Sequence, residues 1–116
     1  MMSNTRVLPY NMTNKEIITL VRNVLKQSAP DADYILYGSR ARGDNRPDSD
    51  VDILVILPNH YEGREFVLKQ TEISNKLYEI SLEYELDISP LITIEKIFNQ
   101  RKTPFTVNVM NEGIRL

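Results

Sequence analysis

The chain has 116 residues, of which 41% are hydrophobic and 26% are charged, and its formal net charge is −2. These values are typical of a single globular domain that can bury its own core. The slight negative charge argues against a protein that coats nucleic acid, because such proteins present basic surfaces. The sequence has no cysteine, which excludes disulfides, zinc–thiolate sites and cysteine nucleophiles. The apolar runs are too short for a membrane span, and the first residues lack the apolar stretch of a signal peptide. We therefore expect a cytoplasmic protein.

The first half of the chain predicts one helix and two strands. Residues 1–13 are expected to form an N-terminal arm, and residues 14–116 one domain. Thr13 and Glu16 have the spacing of a capping box, and the apolar residues that follow recur at helical spacing, which predicts a helix over residues 14–28. A short strand over residues 34–37 should lead into a turn at Gly38, a brief helical turn over residues 39–42 and a loop over residues 45–49. The run over residues 50–57 is the clearest strand.

The second half predicts a long helix, a further strand and two short helices. An apolar stripe with helical spacing indicates a helix over residues 62–83, and a strand is expected over residues 85–92. Thr93 is interpreted as the cap of a short helix that ends at Phe98. Thr103 and Pro104 should begin the last helix, because proline is favoured at the first helical position, and Gly113 should end it. This order of strands and helices predicts an α/β fold with a small mixed sheet.

Two acids at the start of the strongest predicted strand indicate a metal site. Asp50 and Asp52 should point to the same face, because side chains alternate along a strand. They repel each other unless a cation lies between them, and Mg²⁺ accepts one or two carboxylates together with phosphate oxygens. The alternative is that both acids keep the strand start solvated and prevent edge pairing.

A glycine turn lies just upstream of these acids. The turn at Gly38 and Ser39 could expose backbone N–H groups to an anion, although glycine after a strand usually only makes a turn. Arg40 and Arg42 follow at once and could neutralise a triphosphate. Their alternative role is to pair with nearby acids, which contributes little at a surface.

A third acid lies at the next predicted strand. Alternation over residues 85–89 places Asp87 on the layer opposite Leu86 and Ile88. If the two strands are neighbours, Asp87 could join Asp50 and Asp52. Three carboxylates could hold two metal ions, or one ion plus a base for a hydroxyl nucleophile. An exposed polar strand face would explain Asp87 equally well.

Together these residues form a pattern that resembles a known superfamily. Gly38-Ser39, then ten residues, then Asp50-Val51-Asp52, with Asp87 on a later strand, resembles the nucleotidyltransferase superfamily that includes DNA polymerase beta. The local sequence from Gly38 to Asp44 and the small size of the chain resemble the minimal nucleotidyltransferase (MNT) proteins of this superfamily. The resemblance implies a three-stranded mixed sheet, with room for a short fourth strand, flanked by helices. It also implies that Gly38, Ser39, Arg40 and Arg42 bind the nucleotide. Asp50, Asp52 and Asp87 would hold one or two Mg²⁺ ions and perform catalysis, with Asp87 as ligand or base.

The resemblance further implies a biological role. MNT proteins of this type commonly act as antitoxins of HEPN proteins, so we expect transfer of AMP from ATP to a tyrosine hydroxyl of a HEPN partner. Only about two short helices are predicted after residue 93, from which we expect the acceptor to come from a partner or a homo-oligomer. Two alternatives remain: a non-catalytic module that neutralises its partner by binding, and a free-standing enzyme acting on a small alcohol or RNA end. No direct nucleic-acid or membrane binding is expected.

Overall fold

The computed structural model describes residues 12–100 and 102–116, so most of the predicted N-terminal arm lies outside the described residues. The elements in chain order are α1 (Asn14–Ser28), β1 (Asp33–Tyr37), α2 (Ser39–Arg42), β2 (Val51–Leu57), α3 (Arg64–Tyr84), β3 (Ile88–Ile94), α4 (Glu95–Gln100), α5 (Pro104–Glu112) and β4 (Ile114–Arg115). None of the helices within the described ranges combines the length and the apolar character needed to cross a membrane.

The strands form one four-stranded mixed sheet in the order β3-β2-β1-β4. Strand β2 lies antiparallel to β1 and parallel to β3, and β4 adds a two-residue antiparallel edge to β1. The predicted α/β fold with a mixed sheet flanked by helices is confirmed, and the short fourth strand is present. The parallel pairing of β2 with β3 also makes these two strands neighbours, as the metal-site hypothesis requires.

The two faces of the sheet are covered unequally. Alternate residues of β2, from Val51 to Leu57, pack with α1 and α3 in the larger apolar core. Leu54 and Ile56 point to the opposite face, where Ile35 and Val109 of α5 complete a smaller core. Because β2 is apolar on both faces, its position at the centre of the sheet follows from its sequence. We call the face of Leu54 and Ile56 the second face.

Helix boundaries follow local capping. Thr13 accepts a hydrogen bond from the Glu16 backbone N–H, and the Glu16 side chain accepts one from the Thr13 N–H, which confirms the predicted capping box. Thr103 caps α5 in the same manner with Thr106, and Pro104 occupies its first turn. Each pair satisfies backbone donors that a helix start leaves without intrahelical partners.

The structure corrects the prediction at β3. Glu85 does not begin the strand but ends α3 in the left-handed conformation (φ 55°), and the Leu86 N–H donates to the Ser81 carbonyl. The strand begins three residues later, at Ile88, and runs through Thr93 to Ile94. Thr93 therefore lies inside β3 and does not cap the helix that follows. The cause is the length of β2, whose last residue, Leu57, still pairs with Ile94.

Candidate active site

The predicted site residues gather at one end of the sheet. Strand β1 ends there at Tyr37, which pairs with Asp52 in the antiparallel ladder. Strands β2 and β3 both begin there, and the Val51 N–H donates to the Asp87 carbonyl over 2.7 Å. The parallel register pairs Val51 with Ile88, so Asp50 and Asp87 stand at the same level just before the two strands. The turn at Gly38 and the three acids thus share one edge.

Gly38 is required by the close approach of Asp52. Its φ is +77°, a conformation that side chains rarely adopt, and a Cβ at this position would collide with the Asp52 carboxylate. The Asp52 carboxylate therefore lies directly against the backbone of the turn. This contact brings the predicted phosphate turn and one predicted metal ligand together.

Ser39 begins the four-residue helix α2. The Gly38 carbonyl accepts hydrogen bonds from the Ala41 and Arg42 N–H groups, and the Ser39 carbonyl accepts from Gly43 and Asp44. These bonds make a compact turn that fixes the backbone of Ser39. Its hydroxyl has no hydrogen-bond partner within the residues that the structure describes, so it remains available to an anion beside Asp52.

The charges of Asp50 and Asp52 are not balanced within the site. Burial raises the pKa of Asp52, the charge of Asp50 raises it further, and Arg42 lowers it by a smaller amount. A second negative charge on the same strand face opposes ionisation of the first. A divalent cation would remove this repulsion, because it would be shared by both carboxylates.

Asp87 is less closely associated with the other two acids. It is exposed, and no group of three or more His, Asp or Glu side chains in the described parts of the chain is arranged to hold a metal ion. Two carboxylates are nevertheless sufficient for Mg²⁺, which completes its shell with phosphate oxygens and water. The donor set of Asp50 and Asp52 therefore fits Mg²⁺, while the role of Asp87 stays a prediction.

Arg40 lies inside the loop that leads to Asp50. Only 3% of this residue is exposed, and its guanidinium donates to the Ser49 carbonyl through Nε (3.1 Å) and Nη2 (2.8 Å). It also donates to the Pro47 carbonyl (3.0 Å) and to Asn14 Oδ1 (2.8 Å). Burial lowers the pKa of Arg40, and the charges of Asp48 and Asp50 oppose this effect. This placement argues against the prediction that Arg40 contacts the nucleotide, because the protein occupies four of its five N–H donors.

Arg42, in contrast, lies on the surface of the site. Its Nε is 3.2 Å from Asp44 Oδ2 and its Nη1 is 3.6 Å from Glu112 Oε1. The hydrogen bond to Asp44 raises the pKa of the exposed guanidinium. Exposed ion pairs are weak, so a phosphate could replace these partners at little cost. Nucleotide contact by Arg42 is compatible with this geometry.

A cleft of about 260 Å³ adjoins Asp87, but neither Asp50 nor Asp52 is among its lining residues. It lies between the loop before β2 and the segment before β3, and Asp87 forms part of its wall. Its lining residues are Arg40, Pro47, Asp48, Ser49, Glu85, Leu86 and Asp87. The cleft gives Asp87 access to a molecule that approaches from outside.

Tyr37 and Asn14 are site residues that the sequence did not single out. Tyr37 lies on the second face beside Asp52, and its ring meets that of Phe105 edge-on, with centroids 5.3 Å apart. Burial, and then the Asp52 charge, raise the pKa of its phenol. Strand alternation could have indicated the face of Tyr37, but its antiparallel pairing with Asp52 could not be predicted from the sequence. Asn14 looked like an ordinary first-turn residue.

Comparison with known proteins identifies the family of the chain. A family model described as "Nucleotidyltransferase domain" matches residues 18–116, which is most of the chain. The chain belongs to the nucleotidyltransferase domain family. A Methanocaldococcus jannaschii protein, MJ0141, provisionally named a protein adenylyltransferase, is 32% identical over 102 residues, covering 88% of this chain and 89% of the relative. The predicted nucleotidyltransferase family is thereby confirmed.

Solved structures support the same fold. A structure provisionally named a minimal nucleotidyltransferase superposes with a TM-score of 0.61 at 20% identity, covering 90% of this chain and 97% of that chain. A toxin–antitoxin structure with AMP-PNP superposes with a TM-score of 0.57 at 19% identity, covering 90% of this chain and 72% of that chain. At these identities the likeness establishes the fold.

Proposed function

We propose that this protein is a metal-dependent nucleotidyltransferase that transfers AMP from ATP to a hydroxyl group of another protein. The observation that carries this proposal is the contact of Asp52 with Gly38, which sets a predicted metal ligand against a phosphate turn. Membership of the nucleotidyltransferase family supports the reaction type. The provisional name of MJ0141 supports a protein acceptor and adenylyl transfer.

The proposed reaction is an in-line displacement at the α-phosphorus of ATP. The acceptor oxygen forms a bond to this phosphorus, the bond to the bridging oxygen of the β-phosphate breaks, and pyrophosphate leaves. Asp50 and Asp52 would hold Mg²⁺, which neutralises charge on the attacking and leaving oxygens when bound. Ser39 and the Gly38 turn would hold phosphate oxygens, and Arg42 would balance their charge. Asp87, at the cleft, would accept the hydroxyl proton.

The surroundings of the acids support an acceptor of protein size. Asp50 and Asp87 are exposed, so the site is open to a large molecule. On the second face, Leu91 of β3 pairs with Leu54 and is 45% exposed. It lies two residues along β3 from Ser89, the residue that pairs with Asp52. Further exposed apolar side chains on α4 and α5 are Ile97, Phe105, Val107 and Met110. Exposed apolar groups near a site are typical of a docking surface.

The partner proposed from the sequence is a HEPN protein, with one of its tyrosines as acceptor, in an antitoxin role. A solved neighbour that is a toxin–antitoxin structure with AMP-PNP supports this proposal at the level of the fold. We expect this partner to be encoded beside this chain, and the neighbouring reading frame tests that expectation. Neutralisation of that protein would then depend on modification.

Labelled ATP tests the proposal. The protein is incubated with its HEPN partner, Mg²⁺ and ATP labelled at either the α- or the γ-phosphate. We expect the partner to acquire label from the α-position only, and the Asp50→Ala/Asp52→Ala variant to transfer none. Asp31→Ala/Asp33→Ala is the matched control. It removes two acids with the same spacing at the opposite end of β1, where Asp33 pairs with Ile56.

Three outcomes would contradict the proposal. Label from the γ-position would indicate phosphoryl transfer. Full neutralisation of the partner by Asp50→Ala/Asp52→Ala, without any label, would favour the non-catalytic binding module instead. Turnover of a small alcohol or an RNA end without any partner would favour the free-standing enzyme.

A further inference from the structure

The two peptide bonds that flank Asp50 are each held by hydrogen bonds. On one side, Arg40 donates two hydrogen bonds to the Ser49 carbonyl, at 3.1 Å from Nε and 2.8 Å from Nη2. On the other side, the Val51 N–H donates to the Asp87 carbonyl at 2.7 Å. The Ser49 carbonyl belongs to the same peptide plane as the Asp50 nitrogen, so these bonds restrict both backbone torsions of Asp50. The backbone from which the exposed Asp50 carboxylate projects is thereby held, on the Ser49 side by the buried Arg40.

Asn14 in turn holds Arg40. Its Oδ1 accepts from Arg40 Nη1 at 2.8 Å, and its Nδ2 donates to Asn45 Oδ1 at 2.8 Å. Asn14 is the first residue of α1, a helix whose start is fixed by its capping box. One side chain therefore connects α1, the guanidinium of α2 and the loop before β2. The network is almost fully buried at Arg40, which is 3% exposed.

We propose that Asn14 and Arg40 are positioning residues that orient Asp50 for metal binding. They touch neither the nucleotide nor the metal in this assignment, and act through the peptide bond between Ser49 and Asp50. Replacing residues that orient metal ligands typically lowers metal affinity or activity by about 10- to 100-fold. The inference rests on the proposed metal-dependent function, but its test measures metal binding without adenylyl transfer.

Two substitutions separate positioning from charge. Arg40→Lys keeps the positive charge but loses the planar fork that reaches Asn14, Pro47 and Ser49 together. Asn14→Ala keeps Arg40 itself and removes one of its acceptors. Asn23→Ala is the matched control, because Asn23 is an exposed asparagine on the same helix with no side-chain hydrogen bond within the described residues. If Arg40 instead contacted the nucleotide directly, Asn14→Ala would leave metal affinity unchanged.

The experiment titrates Mn²⁺ into each folded variant without nucleotide, so that no Mn²⁺ is bound by phosphate groups in solution, and follows free Mn²⁺ by electron paramagnetic resonance. We expect the Mn²⁺ dissociation constant to rise by about 10-fold or more in Asn14→Ala and Arg40→Lys, and to stay at the wild-type value in Asn23→Ala. Hydrogen exchange of the Val51 amide should accelerate in the same two variants. If Arg40→Lys does not fold, Asn14→Ala decides the question.

Unchanged Mn²⁺ affinity in folded Asn14→Ala would overturn the proposal, as would failure of the wild-type protein to bind Mn²⁺. A failure of adenylyl transfer alone has a different signature. In that case the wild-type protein binds Mn²⁺, the two variants bind it more weakly, and no label reaches any acceptor. That result would refute the proposed reaction and leave the positioning role of Asn14 and Arg40 intact.

Discussion

Replacing Asp52 with asparagine should make the metal-free protein more stable while removing its metal site. In the metal-free state, burial and the neighbouring charge of Asp50 both oppose ionisation of Asp52 and raise its pKa. At neutral pH the ionised Asp52 therefore costs stability. Asparagine has nearly the same shape and carries no charge, so the substitution relieves both effects.

The contribution of charge repulsion follows from the spacing of Asp50 and Asp52. Side chains two residues apart on a strand lie about 7 Å from each other. Two unit charges at that distance repel by about 0.6 kcal/mol in water and about 2.4 kcal/mol at an effective dielectric constant of about 20. Asp50 is exposed and Arg42 partly compensates, so we expect a gain of about 1 kcal/mol, or about 4 °C in the unfolding midpoint.

The assay is urea unfolding of wild type and Asp52→Asn in the presence of a chelator, followed by circular dichroism. Because the pKa of Asp52 is higher in the folded than in the unfolded protein, its cost is present above the folded value and disappears as the pH falls below the unfolded value. The difference between the two proteins should thus vanish in acid. With saturating Mg²⁺ and nucleotide the order should invert, because only the wild type gains binding energy. A variant that is less stable than wild type at neutral pH without metal would refute this reasoning.

Three further predictions concern the turn, the phosphate contact and the core. Gly38→Ala should abolish activity and cost more stability than Gly43→Ala. Gly43 is left-handed (φ 84°, ψ 8°), which costs alanine about 1–2 kcal/mol, whereas Gly38 (φ 77°, ψ −158°) has a backbone conformation that is essentially restricted to glycine and also faces Asp52; unfolding and transfer assays on both variants check this. Ser39→Ala should raise the KM for ATP by about 10-fold with an unchanged unfolding midpoint, whereas an unchanged KM would remove Ser39 from the phosphate site. Leu77→Ala should cost about 2–5 kcal/mol in urea unfolding, because Leu77 is 1% exposed, while Leu82→Ala at 59% exposure should cost less than about 0.5 kcal/mol; equal losses would contradict the assignment of the core.

The sequence predicted those parts of the fold that local physics determines. The helix over residues 14–28, with its capping box, and the apolar centre of β2 are confirmed, because capping and periodicity act within a few residues. The predicted start of β3 at residue 85 was wrong. Residues 85–89 alternate like a strand, yet the left-handed Glu85 closes α3, and the register with β2 fixes the strand from Ile88. Pairing and helix closure of this kind depend on tertiary contacts.

In the candidate site, too, the sequence predicted what local spacing determines and missed what depends on tertiary contacts. The spacing of Gly38, Asp50 and Asp52 indicated a common edge, and the parallel neighbour of β2 brought Asp87 to that edge. Arg40 was interpreted as a phosphate ligand because of its position in the motif. Its buried contacts with Asn14 and the Ser49 carbonyl link parts of the chain that are distant in sequence, so no local pattern revealed them.

The central claim is that the edge formed by Gly38, Asp50 and Asp52 transfers a nucleotide to a protein hydroxyl. The most direct measurement is the intact mass of the HEPN partner after incubation with this protein, Mg²⁺ and ATP, with fragmentation to locate any modified residue. We predict a mass increase of one AMP on a tyrosine, absent with Asp50→Ala/Asp52→Ala and retained with Asp31→Ala/Asp33→Ala. A partner that is neutralised with no change in mass would contradict this account.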